Sequence, residues 1–157
     1  MKKINHFING KEYISKSDRF GDIFNPASGE KIGSVSFANK DDVALAIQNA
    51  SDAQKKWAAT PPLARSRVMF KFKELILRDM DKLALELTNE HGKILSDSVG
   101  SLTRGMEVVE FACGIPHLLK GEFSENVGTE IDSWSTRQPL GVCVGISPFN
   151  FPAMVPM

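Results

Sequence analysis

The stretch that most constrains the fold is Pro139-Leu-Gly-Val-Cys-Val-Gly-Ile-Ser-Pro-Phe-Asn150-Phe-Pro-Ala-Met-Val155. Val142, Val144 and Ile146 flank small residues in a short apolar run, the pattern of a strand buried on both faces of a parallel sheet. A proline stops the run. Ser147-Pro148-Phe149-Asn150-Phe151-Pro152 then forms a rigid turn whose one amide side chain, Asn150, stands between aromatics and prolines. In an open α/β sheet ligands gather outside the carboxyl ends of the strands, so an amide here is placed to meet a bound molecule. A lone asparagine in such a loop more often simply braces an Asx turn.

The rest of the chain is organised to support a sheet of that kind. Phe7-Ile-Asn9-Gly10-Lys-Glu-Tyr-Ile14 sets Asn-Gly between apolar pairs, a strong hairpin signal, and residues 24–35 repeat the strand, turn, strand plan. A first helix is expected from Asn39 as N-cap, with Asp41 and Asp42 at the positive end of its dipole. Val43, Ile47, Ala50 and Trp57 make an apolar stripe on it, read as core. One second helix is expected from Pro61 to a glycine cap at Gly92, burying Val68, Phe72, Leu75, Ile76, Met80, Leu83 and Leu87. Its charges, including Lys71, Lys73, Glu74 and Arg78, read as a solvated face.

A third helix, from about Ser96 to Gly114, buries Val99, Leu102, Met106, Val109 and Cys113. At 100° per residue Arg104 falls roughly 160° from Met106, on a mixed face with Val108 and Phe111. An arginine there is commonly a surface or ion-paired residue. Residues 121–128 and 131–138 read as two strands joined through Gly128-Thr129, with neither face strongly apolar, so the ribbon needs a partner sheet.

Charge excludes some functions. Nineteen basic and nineteen acidic residues in 157 leave no basic surplus to hold nucleic acid or an anionic membrane. No apolar h-region follows Met1-Lys-Lys, and no stretch approaches spanning length; a cytoplasmic location is expected. His6, His91 and His117 are scattered without metal-ligand spacing. Cys113 and Cys143 have neither metal nor disulfide-framework spacing, and both read as small buried apolar side chains in a reducing compartment.

Taken together, the strand-end turn, Asn25-Pro-Ala-Ser-Gly-Glu30 and Arg104-Gly-Met-Glu-Val-Val-Glu-Phe-Ala-Cys113 resemble the aldehyde dehydrogenase superfamily from about Phe7 onward. The form of the turn is similar to that of its CoA-acylating, methylmalonate-semialdehyde branch, with Phe149 where tryptophan is more usual. The resemblance implies an α/β fold: the helical section and first strand of a Rossmann-like NAD domain, with a β-ribbon of the oligomerisation domain. Residues 1–120 would belong to the NAD domain, 121–139 to the ribbon, and 140–157 to the first strand and turn of the dinucleotide-binding sheet. It implies that Asn150 donates to the negative oxygen of a cysteine-bound tetrahedral adduct. Ser147, Phe149 and Ile146 would border NAD, Arg104 would grip a substrate carboxylate, and CoA would be the co-substrate. The ribbon would pair with a second subunit in a homo-oligomer, a dimer or tetramer when full length.

In that superfamily the nucleophilic cysteine, the general-base glutamate and the phosphate-binding elements lie downstream of Met157. Gly141-x-x-x-Gly145 is not a dinucleotide fingerprint. The expectation is therefore an N-terminal fragment, catalytically incomplete, of an enzyme converting methylmalonate semialdehyde, CoA and NAD to propanoyl-CoA, carbon dioxide and NADH. A non-acylating aldehyde dehydrogenase and a non-catalytic subunit-pairing module are the alternatives.

Overall fold

The computed structural model describes residues 2–157. The N-terminal third is a set of short ribbons. Strands β2 (His6–Ile8) and β3 (Lys11–Tyr13) pair antiparallel, with His6 opposite Tyr13 and Ile8 opposite Lys11. The two turn residues, Asn9 and Gly10, both take positive φ, 54° and 72°, as a two-residue hairpin turn matched to strand twist requires. A second sheet has β5 (Lys31–Ser36) at its centre, antiparallel to β4 (Phe20–Phe24) and parallel to β1 (Lys2–Ile4). Both strand, turn, strand expectations are met; the parallel β1 is not foreseen, because three residues carry no readable alternation.

Helix α1 (Lys40–Ala59) begins where the sequence places it. Asp42 N donates to Asn39 Oδ1 at 2.9 Å, and Asn39 N donates to Asp42 Oδ2 at 2.8 Å, a complete capping box. The expected core stripe of α1 is not buried: Val43, Ile47 and Trp57 remain about half exposed. Periodicity shows which face is apolar but not whether this chain holds anything to cover it.

The single second helix of the sequence reading is two helices, α2 (Pro62–Arg78) and α3 (Met80–His91). At the junction Asp79 leaves helical geometry (φ −104°, ψ 15°) while the backbone bonds run through it: Asp79 N donates to Leu75 O and Leu83 N to Asp79 O. The Arg78 guanidinium donates to both Asp79 oxygens, at 2.9 and 2.7 Å, and holds that carboxyl below its ordinary pKa. A one-residue reorientation leaves the hydrophobic rhythm intact, so the rhythm cannot reveal it. The glycine cap is as expected, with Gly92 left-handed and its N–H on Thr88 O. Of the expected buried face Ile76 and Leu87 are inside, whereas Val68, Phe72 and Leu83 stay largely exposed.

The core lies around α4 (Leu95–Cys113). Leu102, Val109 and Cys113 are buried, as expected, together with Ser98, Ser101 and Gly105, and α4 packs on both α2 and α3. Small residues on α4 let the helices approach closely, and Ser98 Oγ and Thr88 Oγ1 share a hydrogen bond of 2.9 Å across the α3–α4 contact. After the short α5 (Ile115–Leu118) come β6 (Phe123–Gly128) and β7 (Ile131–Trp134), an exposed antiparallel ribbon. Its register slips between Ser124 and Gly128, where Asn126 takes a positive φ and its N–H donates to Asp132 Oδ1.

One expectation is corrected. Residues 142–146 form no strand; Val144 and Ile146 are 82% and 96% exposed. A strand exists only where its N–H and C=O groups meet a neighbouring strand, and none among the described residues lies beside this run. Cys143, expected to be buried there, is exposed for the same reason.

The Asp42 carboxyl has a lowered pKa, chiefly through the Ser15 hydroxyl and then the Asn39 N–H. Its folded pKa lies below its unfolded one, about 3.9. The stabilisation is therefore full above that value and disappears as pH falls through the folded pKa. Urea midpoints taken from pH 7 downward should show Asp42→Asn less stable than the parent at neutral pH, with the gap closing in acid.

Candidate functional site

The turn at 147–152 is held from below by α4 and the loop ahead of it. Phe151, Met154 and Met157 are partly buried, and Val155 N donates to Phe151 O at 3.3 Å, closing the terminal turn. Met154 and Met157 rest on Gly105: a Cβ at that position would stand 3.2 Å from Met154 Cα and 2.6 Å from Met157 Sδ. Glycine inside a helix costs roughly 1 kcal/mol relative to alanine, so its presence here marks a packing requirement. The seat for the turn is written into α4.

Lys93 fixes the other side. Its Nζ donates to the Asn150 carbonyl at 3.1 Å and stands 5.2 Å from the centre of the Phe151 ring. The main chain of Asn150 is thus anchored, while its exposed side-chain amide makes no hydrogen bond among the described residues. An anchored backbone with an unengaged amide is what a preplaced hydrogen-bond donor needs.

The three candidate cofactor contacts are equally open. Ile146 and Phe149 are 96% and 87% exposed, and Ser147 is exposed between them. Phe149 and Pro152 line a cleft of about 570 Å³ together with Pro26, Glu86, Leu87, Glu90 and His91. Both glutamates face the Lys2 ammonium, at 3.8 and 4.0 Å.

Arg104 stands on the outer face of α4 with Val108 and Phe111, 48% and 64% exposed, as the helical spacing indicates. It forms no ion pair among the described residues, unlike Lys71, Lys73 and Arg78, which pair with Glu74, Glu110 and Asp79. Gly105, the residue after Arg104, lies on another face of the helix, against Met154 and Met157 at the end of the segment that carries Asn150. No hydrogen bond links the two side chains. Sequence reasoning missed Lys93, a loop lysine with no pattern around it, and the seat at Gly105, whose only signal was a glycine in mid-helix.

Comparison with known proteins decides the lineage. The aldehyde dehydrogenase family profile matches residues 13–157. The chain belongs to the aldehyde dehydrogenase family. It is 46% identical to the malonate-semialdehyde dehydrogenase of Pseudomonas aeruginosa over 157 residues, all of this chain and 31% of the relative. It is 44% identical to the human mitochondrial acylating methylmalonate-semialdehyde/malonate-semialdehyde dehydrogenase over 151 residues, 96% of this chain and 28% of that protein. The methylmalonate-semialdehyde dehydrogenase of Oceanimonas doudoroffii superposes with a TM-score of 0.95 at 51% identity, covering 99% of this chain and 32% of that one. A Sinorhizobium meliloti protein described as a methylmalonate-semialdehyde dehydrogenase, solved with NAD, gives 0.96 at 50% identity over 99% and 32%. The chain spans about a third of the length of these relatives.

Ile146 and Phe149 expose apolar surface on either side of the Ser147 hydroxyl, groups that would suit the ring and ribose of a nicotinamide nucleotide, and no glycine fingerprint for a pyrophosphate occurs in the sequence. Neither thiol is placed as a nucleophile: Cys113 is buried in α4, and Cys143 Sγ is near only the Gly141 carbonyl, at 3.8 Å. No helix among the described residues is long and apolar enough to cross a membrane.

A Cβ at position 105 would stand 2.6 Å from the Met157 thioether and 3.2 Å from Met154 Cα, so Gly105→Ala should displace Met157 and loosen the terminal turn. Limited proteolysis should then cut residues 140–157 several-fold faster than in the parent chain while α2–α4 stays protected.

Proposed function

We propose that these residues supply the N-terminal part of an NAD-dependent, CoA-acylating semialdehyde dehydrogenase, in which Asn150 and Arg104 address the two oxygen-bearing ends of a carboxylated aldehyde. The observation that carries this is the unengaged amide of Asn150, whose own backbone carbonyl is held by Lys93. The relatives' names support the substrate class.

The overall conversion would take methylmalonate semialdehyde, CoA and NAD to propanoyl-CoA, carbon dioxide and NADH. The aldehyde carbon loses its hydrogen as hydride and gains the CoA sulfur, while the thiol proton replaces the departing carboxyl on the neighbouring carbon. NAD, when bound, supplies the hydride acceptor. Ile146, Ser147 and Phe149 would border it. When a thiol adds to the aldehyde, negative charge collects on the carbonyl oxygen, and a neutral amide N–H already in position stabilises it without bringing a competing charge. Arg104 would hold the substrate carboxylate through two parallel hydrogen bonds, a geometry that lysine cannot reproduce. The thiol itself is not among these residues in usable form, so the 157-residue chain alone is expected to give no turnover. The ribbon β6–β7, exposed along its length, would pair with another subunit in a homo-oligomer.

The test is an NAD-coupled assay in a longer protein carrying this segment. Asn150→Ala should lower kcat by about 10²–10³-fold, the usual effect of removing one such donor, with little change in cofactor affinity. Arg104→Ala should raise KM for malonate or methylmalonate semialdehyde and leave an uncharged aldehyde unaffected. Equal losses on both substrate classes would remove the carboxylate role and favour a non-acylating enzyme. NADH formation by the 157-residue chain alone would overturn the incompleteness of the site.

A further inference from the structure

The sequence reading gave Asp42 one role, at the start of α1. The structure adds a second. Asp42 is only 3% exposed, and its Oδ2 accepts both from Asn39 N, within the cap, and from Ser15 Oγ at 2.6 Å, just beyond the β2–β3 hairpin. The Ser15 hydroxyl is held in place, because Ser17 N donates to it at 2.8 Å and Ser17 Oγ in turn accepts from Arg19 N at 3.2 Å. Tyr13, at the end of β3, feels the same carboxylate: burial first and the Asp42 hydrogen bond second raise its pKa. The His6 ring lies over Tyr13, with centroids 6.4 Å apart.

One buried carboxylate therefore joins a hairpin to a helix that otherwise has little packed against its apolar stripe. Between them runs a groove of about 370 Å³ lined by Phe7 and Ile8 of the hairpin side, Val43, Ala46 and Ile47 of α1, and Val144. Val144, still 82% exposed, borders this groove from the C-terminal run, two residues ahead of the candidate cofactor contact Ile146.

We propose that Asp42, through Ser15, is a positioning residue: it closes the hairpin onto α1 and so shapes the groove that guides residues 142–146 toward the turn bearing Asn150. The link is a charge-assisted hydrogen bond at a nearly inaccessible site, the strong kind whose loss leaves an acceptor unsatisfied. Neither end lies in the catalytic turn, and the geometry holds whatever that turn binds.

Ser15→Ala removes the hairpin arm and leaves the capping box of α1 in place. In the 157-residue chain it should speed amide hydrogen exchange within His6–Tyr13 by about tenfold and leave α4 unchanged. A nitroxide on the exposed Cys143, beside Val144, should become more mobile in the same variant, while buried Cys113 stays unlabelled. Ser15→Thr, which keeps the hydroxyl, should restore both readings. Unchanged hairpin exchange overturns the latch. Faster hairpin exchange with an unchanged label overturns its hold on residues 142–146. Equal loss of protection in α4 shows general destabilisation and overturns the proposal too. None of these readings depends on dehydrogenase activity, so they stand or fall separately from the proposed reaction.

Discussion

The close packing of α4 against α2 and α3 is the interaction on which the rest depends. Ser98, Ser101 and Gly105 keep one side of α4 thin, so that Ile76, Ala84 and Leu87 can meet Leu102 and Val109 with almost no exposed surface. The same thinness extends to Gly105, where a Cβ would stand 2.6 Å from the Met157 thioether and 3.2 Å from Met154 Cα. One helix therefore carries both contacts: its buried side packs the core and, at Gly105, meets Met154 and Met157, while Arg104 lies on its exposed side.

Around this core much apolar surface is left uncovered. The stripe of α1, the outer face of α2, the ribbon β6–β7 and the run at 142–146 all expose large side chains. The helices and the run at 142–146 have the pattern of buried elements, the ribbon has open edges, and in each the partner that would cover it is absent from the described residues. The run at 142–146 feels this most, because a strand needs hydrogen bonds as well as contacts. Helices satisfy their own backbone and survive without cover, whereas an unpaired strand cannot. That contrast explains why α1 forms as the sequence indicates while the strand does not.

The same contrast sets how much was legible. Local chemistry was readable: Asn39 as a cap, Asn9-Gly10 as a turn, Gly92 as a helix stop and the buried side of α4 all follow from short-range rules. The resemblance of the strand-end turn to the family was readable too, since motif order survives where geometry is unknown. Features set by distant contacts were not. The reorientation at Asp79 leaves the apolar rhythm untouched, β1 pairs in parallel with a strand nearly thirty residues away, and Lys93 reaches the Asn150 carbonyl across 57 positions. Of the candidate site, the sequence offered residues to test, whereas the Lys93 hold on Asn150 and the packing of Met154 and Met157 on Gly105 are long-range contacts that it did not show.

At the centre of the account stands one amide nitrogen, held by its backbone and left open at its tip. The most direct measurement is a structure of a longer protein carrying this segment, with NAD and a covalent aldehyde adduct bound. The account predicts the Asn150 amide nitrogen about 2.7–3.1 Å from the adduct oxygen, with Lys93 still on the Asn150 carbonyl. An amide turned away from that oxygen, with another group donating to it, would contradict it.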